Sequence, residues 1–274
     1  GRAIVFIFGL QGKFLMRRVA GFTLVELVIV IVLLAIVATI SVQFVALSTR
    51  GAIDVGSRQQ RALTGVVVSE HISRGLREAL PTSVRTNSSG SCIEWMPIIA
   101  ASNYENLPGG PSPDSFEAVP LPDGGSARGR VVVYGYGSNL YDVTNPGPVS
   151  PLATMPAGAS PVTVTLDSPH RFSAKSPEKR FYVVGDPVAF CQSGRWLYRY
   201  RNYGINEPVA YGLPIAYPGR EVLAANLEAA SLLFEVTPPT LQRGAVVSFR
   251  LVLEDTGTGE STAISQEVQI RNVP

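Results

Sequence analysis

Gly21-Phe22-Thr23-Leu24-Val25-Glu26-Leu27 opens an apolar run that continues to Ile40. As a helix rising about 1.5 Å per residue, residues 22–40 would extend about 28 Å. That length matches the roughly 30 Å hydrocarbon core of a bilayer. The single charge within the run is Glu26. A carboxylate there costs on the order of 2–3 kcal/mol unless it is partnered or reaches the interface. Arg17 and Arg18 lie just before the run, so the positive-inside rule keeps the N-terminus cytoplasmic and exports the chain beyond Ile40.

Met16-Arg17-Arg18-Val19-Ala20-Gly21 followed by Phe22, with Glu26 and an uninterrupted apolar helix behind it, resembles the class III signal of type IV prepilins and pseudopilins. The resemblance implies that a membrane prepilin peptidase cuts between Gly21 and Phe22. It also implies that Phe22 becomes the N-methylated first residue and that Glu26, the fifth, serves subunit register and assembly. The chemistry can be stated independently. Cleavage frees an α-amine with a reference pKa of about 7.7–8, and methylation preserves its charge. Glu26 then needs a cation, and a neighbouring subunit's amine supplies one. Two charges that are costly alone become tolerable as a pair across subunits. The alternative is an ordinary signal-anchor helix with a stray Glu near its cytoplasmic end.

Residues 1–15 fit neither reading. Ala3–Leu10 is apolar but too short to span, and no small-residue cleavage site follows it. Translation is expected to begin at Met16, which leaves a short leader.

Two cysteines, Cys92 and Cys191, lie in the exported part. An even pair in an oxidising compartment points to a disulfide; closing so long a loop is worth up to about 4–5 kcal/mol by chain entropy. Two buried free thiols are the rival reading. A metal site lacks CxxC or HxxxH spacing. The net charge of +2 implies no strongly basic or acidic partner. With 26 Gly and 21 Pro, many between 81 and 220, short strands joined by turns are favoured over a helical bundle.

From Ser41 the pattern stays helical but becomes amphipathic. Val68, Ile72, Leu76 and Leu80 form a stripe, and Arg58, Arg61, Arg74, Arg77 and Glu78 form a polar face. Gly51, Gly56 and Gly65 mark kinks or local softening, and Pro81 stops the helix. The apolar stripe calls for a sheet to lie on. Strands are expected at 91–98, 130–136, 162–166, 181–184, 188–191 and 195–201. A closing meander is expected at 231–236, 245–254 and 262–271. Residues 100–129 and 137–161 read as long loops, and 221–227 as a short strand or helical turn.

Arg195–Arg201 alternates. Trp196, Tyr198 and Tyr200 share one face; Arg195, Arg199 and Arg201 share the other with Leu197. The bland reading is a strand with an aromatic core face and a basic outer face. The sharper reading is a nucleic-acid surface, but alternation puts the two sets on opposite sides. No nucleic-acid partner is expected.

Catalytic constellations are missing. Asp255-Thr256-Gly257 occurs once with no second carboxylate to share a proton and reads as a turn. Gly135-Tyr136-Gly137 is too short a fragment for a dinucleotide loop. His71 and His170 have no nucleophile or ligand nearby in sequence. Asp167, Asp186 and Asp255 are loop carboxylates that nothing marks as calcium ligands. No enzyme activity, cofactor or metal is expected.

The expectation is an α+β fold of the pilin type. Residues 1–21 form the leader, 22–40 the transmembrane helix segment, 41–81 the amphipathic helix and 82–274 a periplasmic antiparallel β-domain. Arg77–Arg85, Val188–Cys191, Leu197–Tyr200 and Glu267–Pro274 resemble the MshO family of minor pilins from the mannose-sensitive haemagglutinin (MSHA) pilus. The last segment is also similar to PilW-like minor pilins and to J-type pseudopilins of type II secretion. These resemblances imply a minor subunit that primes pilus assembly, at the tip, and supports surface attachment. The implied partners are the prepilin peptidase, other major and minor pilins, the inner-membrane assembly platform and membrane lipid. The implied location is the bacterial inner membrane and then the extracellular pilus. A J-type pseudopilin, and a filament-borne adhesin or ligand- or DNA-binding module, are the alternatives.

Overall fold

The structure, a computed structural model, describes residues 21–107, 110 and 113–271. The expected leader up to Ala20 and the terminal Asn272-Val273-Pro274 lie outside the described residues. The chain divides into two compact units, Gly1–Gly56 and Ser57–Pro274. One helix, α1 (Leu24–Arg77), supplies residues to both.

In the first unit the helix begins with a cap written in the sequence. Thr23 Oγ1 accepts the Glu26 N–H at 3.2 Å, and the Thr23 carbonyl accepts the Leu27 N–H at 3.1 Å. Thr-x-x-Glu is the sequence of a capping box, and the Thr hydroxyl satisfies a donor that the first turn would otherwise leave open. Every residue from Gly21 to Gly56 is exposed. Among the described residues α1 is the one helix long and apolar enough to cross a membrane.

In the second unit the helix turns one face inward. Arg61, Gly65, Val68, Ser69, Ile72, Ser73 and Leu76 are buried, as the four-residue stripe predicts. The helix ends at Arg77, short of Pro81, which instead opens a 3-10 turn, Pro81–Ser83. Gly65 is not a point of softening. A Cβ there would fall 2.2 Å from Ile264 Cδ1, so its lack of a side chain lets helix and sheet close together.

The strands are β1 (Arg85–Thr86), β2 (Cys92–Trp95), β3 (Ile98–Asn106), β4 (Ser115–Ala118), β5 (Ala127–Val132), β6 (Val149–Met155) and β7 (Val162–Leu166). They continue as β8 (Arg180–Val184), β9 (Val188–Ser193), β10 (Trp196–Tyr200), β11 (Arg220–Ala224), β12 (Leu233–Thr237), β13 (Ala245–Glu254) and β14 (Ser261–Ile270). They form a five-stranded sheet in the order β1-β2-β9-β10-β11, a three-stranded meander β12-β13-β14, and a closed barrel β3-β4-β7-β6-β5-β8. Every named strand pair is antiparallel.

The helical stripe shares one core with Ile93, Trp95, Phe190 and Leu197 of the first sheet and Phe234, Phe249 and Leu251 of the meander. Trp95 and Phe190 meet edge-to-face at 4.8 Å. The barrel has its own core around Phe116, Phe181, Met155 and Val164. Leu80, Met96, Val132, Leu140 and Val184 fill a third cluster.

Two regions expected as loops contain barrel strands. Residues 100–129 hold most of β3, all of β4 and the start of β5, and 137–161 hold β6. Their inward positions include Ala118, Ala127 and Ala153, which carry little strand propensity. Pro151 sits within β6 where the β5–β6 register shifts between Arg130 and Val132. There the Ser150 hydroxyl accepts the Val131 N–H at 2.9 Å, so the irregularity accommodates a residue without a donor.

His170 is 2% exposed, with Nε2 3.0 Å from the Gly147 carbonyl and its ring 5.1 Å from that of Phe172. Burial holds its pKa below the usual 6.5, partly offset by the Gly147 carbonyl. The unfolded chain therefore binds this proton more readily, so the stabilisation from a neutral His170 is present above about pH 6.5 and is lost as pH falls below it. Chemical unfolding of the wild type and of His170→Asn between about pH 7.5 and about pH 5 should show a steeper loss in the wild type. Identical slopes would rule out the histidine as the source. For the helical core, Leu76→Ala should cost about 2–5 kcal/mol, whereas Val67→Ala, on the exposed face, should stay within about 0.5 kcal/mol.

Candidate functional site

Gly21, Phe22 and Glu26 all lie on or beside the start of α1 and are exposed; Phe22 retains 75% of its surface. The Gly21–Phe22 bond thus lies immediately before a capped helix. Four residues beyond Phe22 is a carboxylate that, among the described residues, has no ion-pair partner. The surrounding side chains, Leu24, Val25, Leu27 and Val28, are apolar and uncovered. Such a surface needs lipid or other helices around it, and a carboxylate within it needs a cation.

Cys92 and Cys191 stand directly opposite each other in the β2–β9 pair and are joined by a disulfide, with Cα atoms 4.2 Å apart. Among the described residues there is no free cysteine. The bridge spans a sequence separation of 99 residues, and the whole barrel lies between its ends.

The arginine-rich strand differs from the simple alternation. Leu197 is fully buried in the main core, and Tyr198 and Tyr200 are buried on the opposite face with Ala189 and Cys191. Trp196 is 46% exposed and so is not part of an aromatic core face. Both faces of β10 are covered because the helix lies on one side and the 201–219 segment on the other. The arginines are matched with carboxylates: Arg195 with Glu254, and Arg199 and Arg201 with Glu221 at 2.5 and 2.7 Å. Arg220 stacks over Tyr198, 3.7 Å from its ring centre.

A buried hub not foreseen from sequence underlies the 201–219 segment. Glu94 is fully buried. Its carboxylate accepts from Arg85 Nε at 2.6 Å, Tyr203 Oη at 2.8 Å and the Ala210 N–H at 3.3 Å. Arg85 in turn donates to the carbonyls of Asn206 and Glu207 at 2.6 and 2.5 Å and stacks 3.3 Å over Tyr141. Burial, then the Glu94 charge, pushes the Tyr203 and Tyr141 hydroxyls well above their ordinary pKa. The segment so clamped carries three exposed apolar side chains, Tyr211, Ile215 and Tyr217. The sequence signal was present, since Arg85 and Glu94 face each other in the β1–β2 register. The turn between them hid it.

A second ion-pair group joins helix to meander. Arg61 bridges Asp255 at 3.1 Å and Glu260 at 2.5 Å, and Arg58 also reaches Glu260 at 2.5 Å. Hydrogen bonds from Arg58 and then Arg61 pull the Glu260 pKa down to about 2. Asp255-Thr256-Gly257 is a turn: Asp255 Oδ1 accepts the Gly257 N–H at 2.8 Å, and its carbonyl accepts that of Gly259. Arg61, counted from sequence on the polar face, is nearly buried in this network.

His71 is exposed on the helix, and His170 is enclosed at the barrel. Asp167 pairs with Arg128 at 2.8 Å. Among the described residues no three His, Cys, Asp or Glu side chains converge in a form that would hold a metal.

Residues 16–42 match the family described as Prokaryotic N-terminal methylation motif. The match supports the prepilin/pseudopilin superfamily and thus a structural subunit of a type IV pilin or pseudopilin kind. It implies processing by prepilin peptidase and association with other pilins, and it accords with membrane anchoring through α1. Comparison with curated proteins and with solved structures returns no match in either case.

Arg85→Met would leave the Glu94 carboxylate buried and uncompensated, a change that typically costs about 3–5 kcal/mol. Equilibrium unfolding should register a loss of that order, and limited proteolysis should cut within 202–219 sooner than in the wild type. A loss below about 1 kcal/mol would mean that the hub is not the clamp.

Proposed function

We propose that the chain is a minor pilin of a type IV, MSHA-like pilus, of the MshO kind, which helps to initiate filament assembly from the tip and thereby supports surface attachment. The observation that carries this reading is the junction of Gly21-Phe22 with a capped apolar helix whose one carboxylate, Glu26, has no cation of its own chain among the described residues.

Prepilin peptidase would cleave the Gly21–Phe22 bond at the cytoplasmic face, and methylation would leave a basic secondary amine on Phe22, protonated to an ammonium near neutral pH. In a helical bundle of subunits, that ammonium is the natural partner for a neighbour's Glu26. In a low-dielectric surround their attraction is far stronger than in water, and the pairing fixes how far one helix is displaced along the next. Lipid would cover the same surface before assembly. The disulfide Cys92–Cys191 belongs to this reading as a feature of an exported domain.

The size of the β-domain favours an end position. A six-stranded barrel is added between β2 and β9, and such an addition is easier to accommodate where neighbours lie on one side only. A J-type pseudopilin at the tip of a secretion pseudopilus would use the same helix chemistry. The two placements differ in which minor subunits bind and in which genes lie alongside.

The test is the mass of the N-terminal peptide after co-expression with a prepilin peptidase. A chain beginning at N-methylated Phe22 is the expected result; an uncut chain would reduce residues 22–40 to a plain anchor. Glu26→Ala should insert into the membrane at wild-type levels but enter sheared filaments at least about tenfold less often, the equivalent of about 1.4 kcal/mol. Normal incorporation would remove the register role.

A further inference from the structure

The Tyr134-Gly135-Tyr136 segment after β5 lies outside the core built around the helix, yet its backbone is specialised. Tyr134 adopts φ +47°, a left-handed conformation that bulky side chains rarely accept. Strain of this kind persists where the surroundings enforce it and is a pointer to function. At Gly135 a Cβ would fall 2.8 Å from Leu140 Cδ2 and 3.0 Å from Thr82 Oγ1, so only glycine allows the segment this close to the helix exit. The result is a pair of tyrosine rings 5.6 Å apart and inclined at 53°, both half-buried.

These rings form one wall of an open cavity of about 540 Å³. Pro81, Thr82 and Tyr182 also line it, with Leu241 from the β12–β13 connection. The turn Ser176–Arg180 also lines it, contributing Pro177, Glu178 and Arg180. That turn is pinned before any ligand arrives. Ser176 Oγ accepts the Arg180 N–H at 3.1 Å, the Ser176 carbonyl accepts from Tyr104 Oη at 3.1 Å, and the Glu178 carbonyl accepts from Asn103 Nδ2 at 2.7 Å.

We infer that this cavity is a binding site for a neutral saccharide unit. The lining is mainly apolar and aromatic with few polar groups, which is the usual composition of a small-molecule site, and its volume lies within the usual range of roughly 300–1,000 Å³. The chemistry narrows the ligand. One carboxylate and one guanidinium give the polar wall no net charge, so neither a phosphate-bearing nor a cationic ligand is favoured. A quaternary ammonium would meet repulsion from the Arg180 guanidinium in the lining. A fatty chain would desolvate the Glu178 carboxylate and the Arg180 guanidinium, the latter hydrogen-bonded to the Tyr182 hydroxyl, and would return no polar contact to either, at a penalty. A pyranose ring has an apolar C–H face that lies against tyrosine rings and an edge of hydroxyls that donate to Glu178 and accept from Arg180. This function goes beyond the assembly role and does not rest on it, because the cavity lies wholly within the second compact unit.

The experiment is saturation-transfer difference NMR on the full chain in lipid nanodiscs, which avoid sugar-headed detergents, with maltose, cellobiose and lactose as probes. Tetramethylammonium, laurate and inorganic phosphate serve as competing classes. The expected result is transfer to the C–H protons of at least one disaccharide, weakened by about tenfold or more in apparent affinity by Tyr136→Ala. Leu241→Glu, a rim change on an exposed side chain, should give a similar loss with unchanged thermal unfolding, so that a folding defect in the first variant does not decide the matter. No transfer to any of the three sugars, transfer that both variants leave intact, or binding of one of the competing classes instead, would overturn the inference. Peptidase cleavage at Gly21 is scored separately on the same chain, so loss of the prepilin reading would leave this result standing.

Discussion

The pairing of β2 with β9 is the constraint on which the exported domain depends. The chain leaves the helix-backed sheet after Trp95, builds six strands into a closed barrel and returns at Val188, and Trp95 and Val188 are opposite each other in the ladder. The two ends of the barrel insertion are therefore set side by side by ordinary strand hydrogen bonds. Cys92–Cys191 then locks the same pair three residues away. In the unfolded chain this link removes the entropy of a very long loop, worth up to about 4–5 kcal/mol in the chain-entropy account. The helix uses the same two strands: Ile72 and Leu76 pack in the core that contains Ile93, Trp95 and Phe190. A single four-residue ladder thus connects the helix's inner face, the disulfide and the barrel.

Charge is handled locally in this domain. Arg58 and Arg61 meet Asp255 and Glu260, Arg85 meets Glu94, Arg195 meets Glu254, and Arg199 and Arg201 share Glu221. The partners come from distant parts of the sequence, so composition gives only the near-zero total. The exposed pairs add little stability in water. Glu94 is different because it is buried and multiply hydrogen-bonded, and losing its cation would strand a charge. Its role is to give one conformation to the 202–219 segment, which has prolines, glycines and few core residues to hold it otherwise.

The parts of the fold that follow a strong period were legible from sequence. The apolar run before Ile40, the stripe Val68–Ile72–Leu76 and the closing meander all appear where periodicity puts them. The barrel was legible only in part: β7 and β8 fall where strands are expected and β5 overlaps 130–136, but β4, β6 and most of β3 lie in expected loops, for a physical reason. Its interior is narrow, so alanine and glycine occupy inward positions such as Ala118, Ala127 and Gly129, and these residues carry a loop-like signature. Prolines between and within its strands strengthen that signature. At the candidate sites the split is similar. Gly21, Phe22 and Glu26 stand out through local order, because the matched motif and the helix cap both consist of residues close together in sequence. The Thr23 cap was readable in the same four residues. The cavity beside Tyr134 unites the segments at 81, 134–136, 176–182 and 241, and no local pattern could have joined them.

The two compact units use exposed apolar surface in opposite ways. In the first, apolar side chains from Phe22 to Val55 are uncovered on every side of the helix. So large a surface is tolerable only in lipid or among other helices, and a change at any one of these residues would be diluted by the rest. In the second, three exposed apolar side chains, Tyr211, Ile215 and Tyr217, sit on a loop clamped by Arg85 and Glu94, and the half-buried Tyr134 is held in a left-handed conformation beside a glycine that closes on Thr82. Holding a hydrophobic group rigidly in water gains nothing for folding, and the left-handed tyrosine costs about 1–2 kcal/mol. Such positions are therefore where contacts with molecules outside the chain would gain most. The first unit offers an extended apolar surface, while the second offers a few braced side chains.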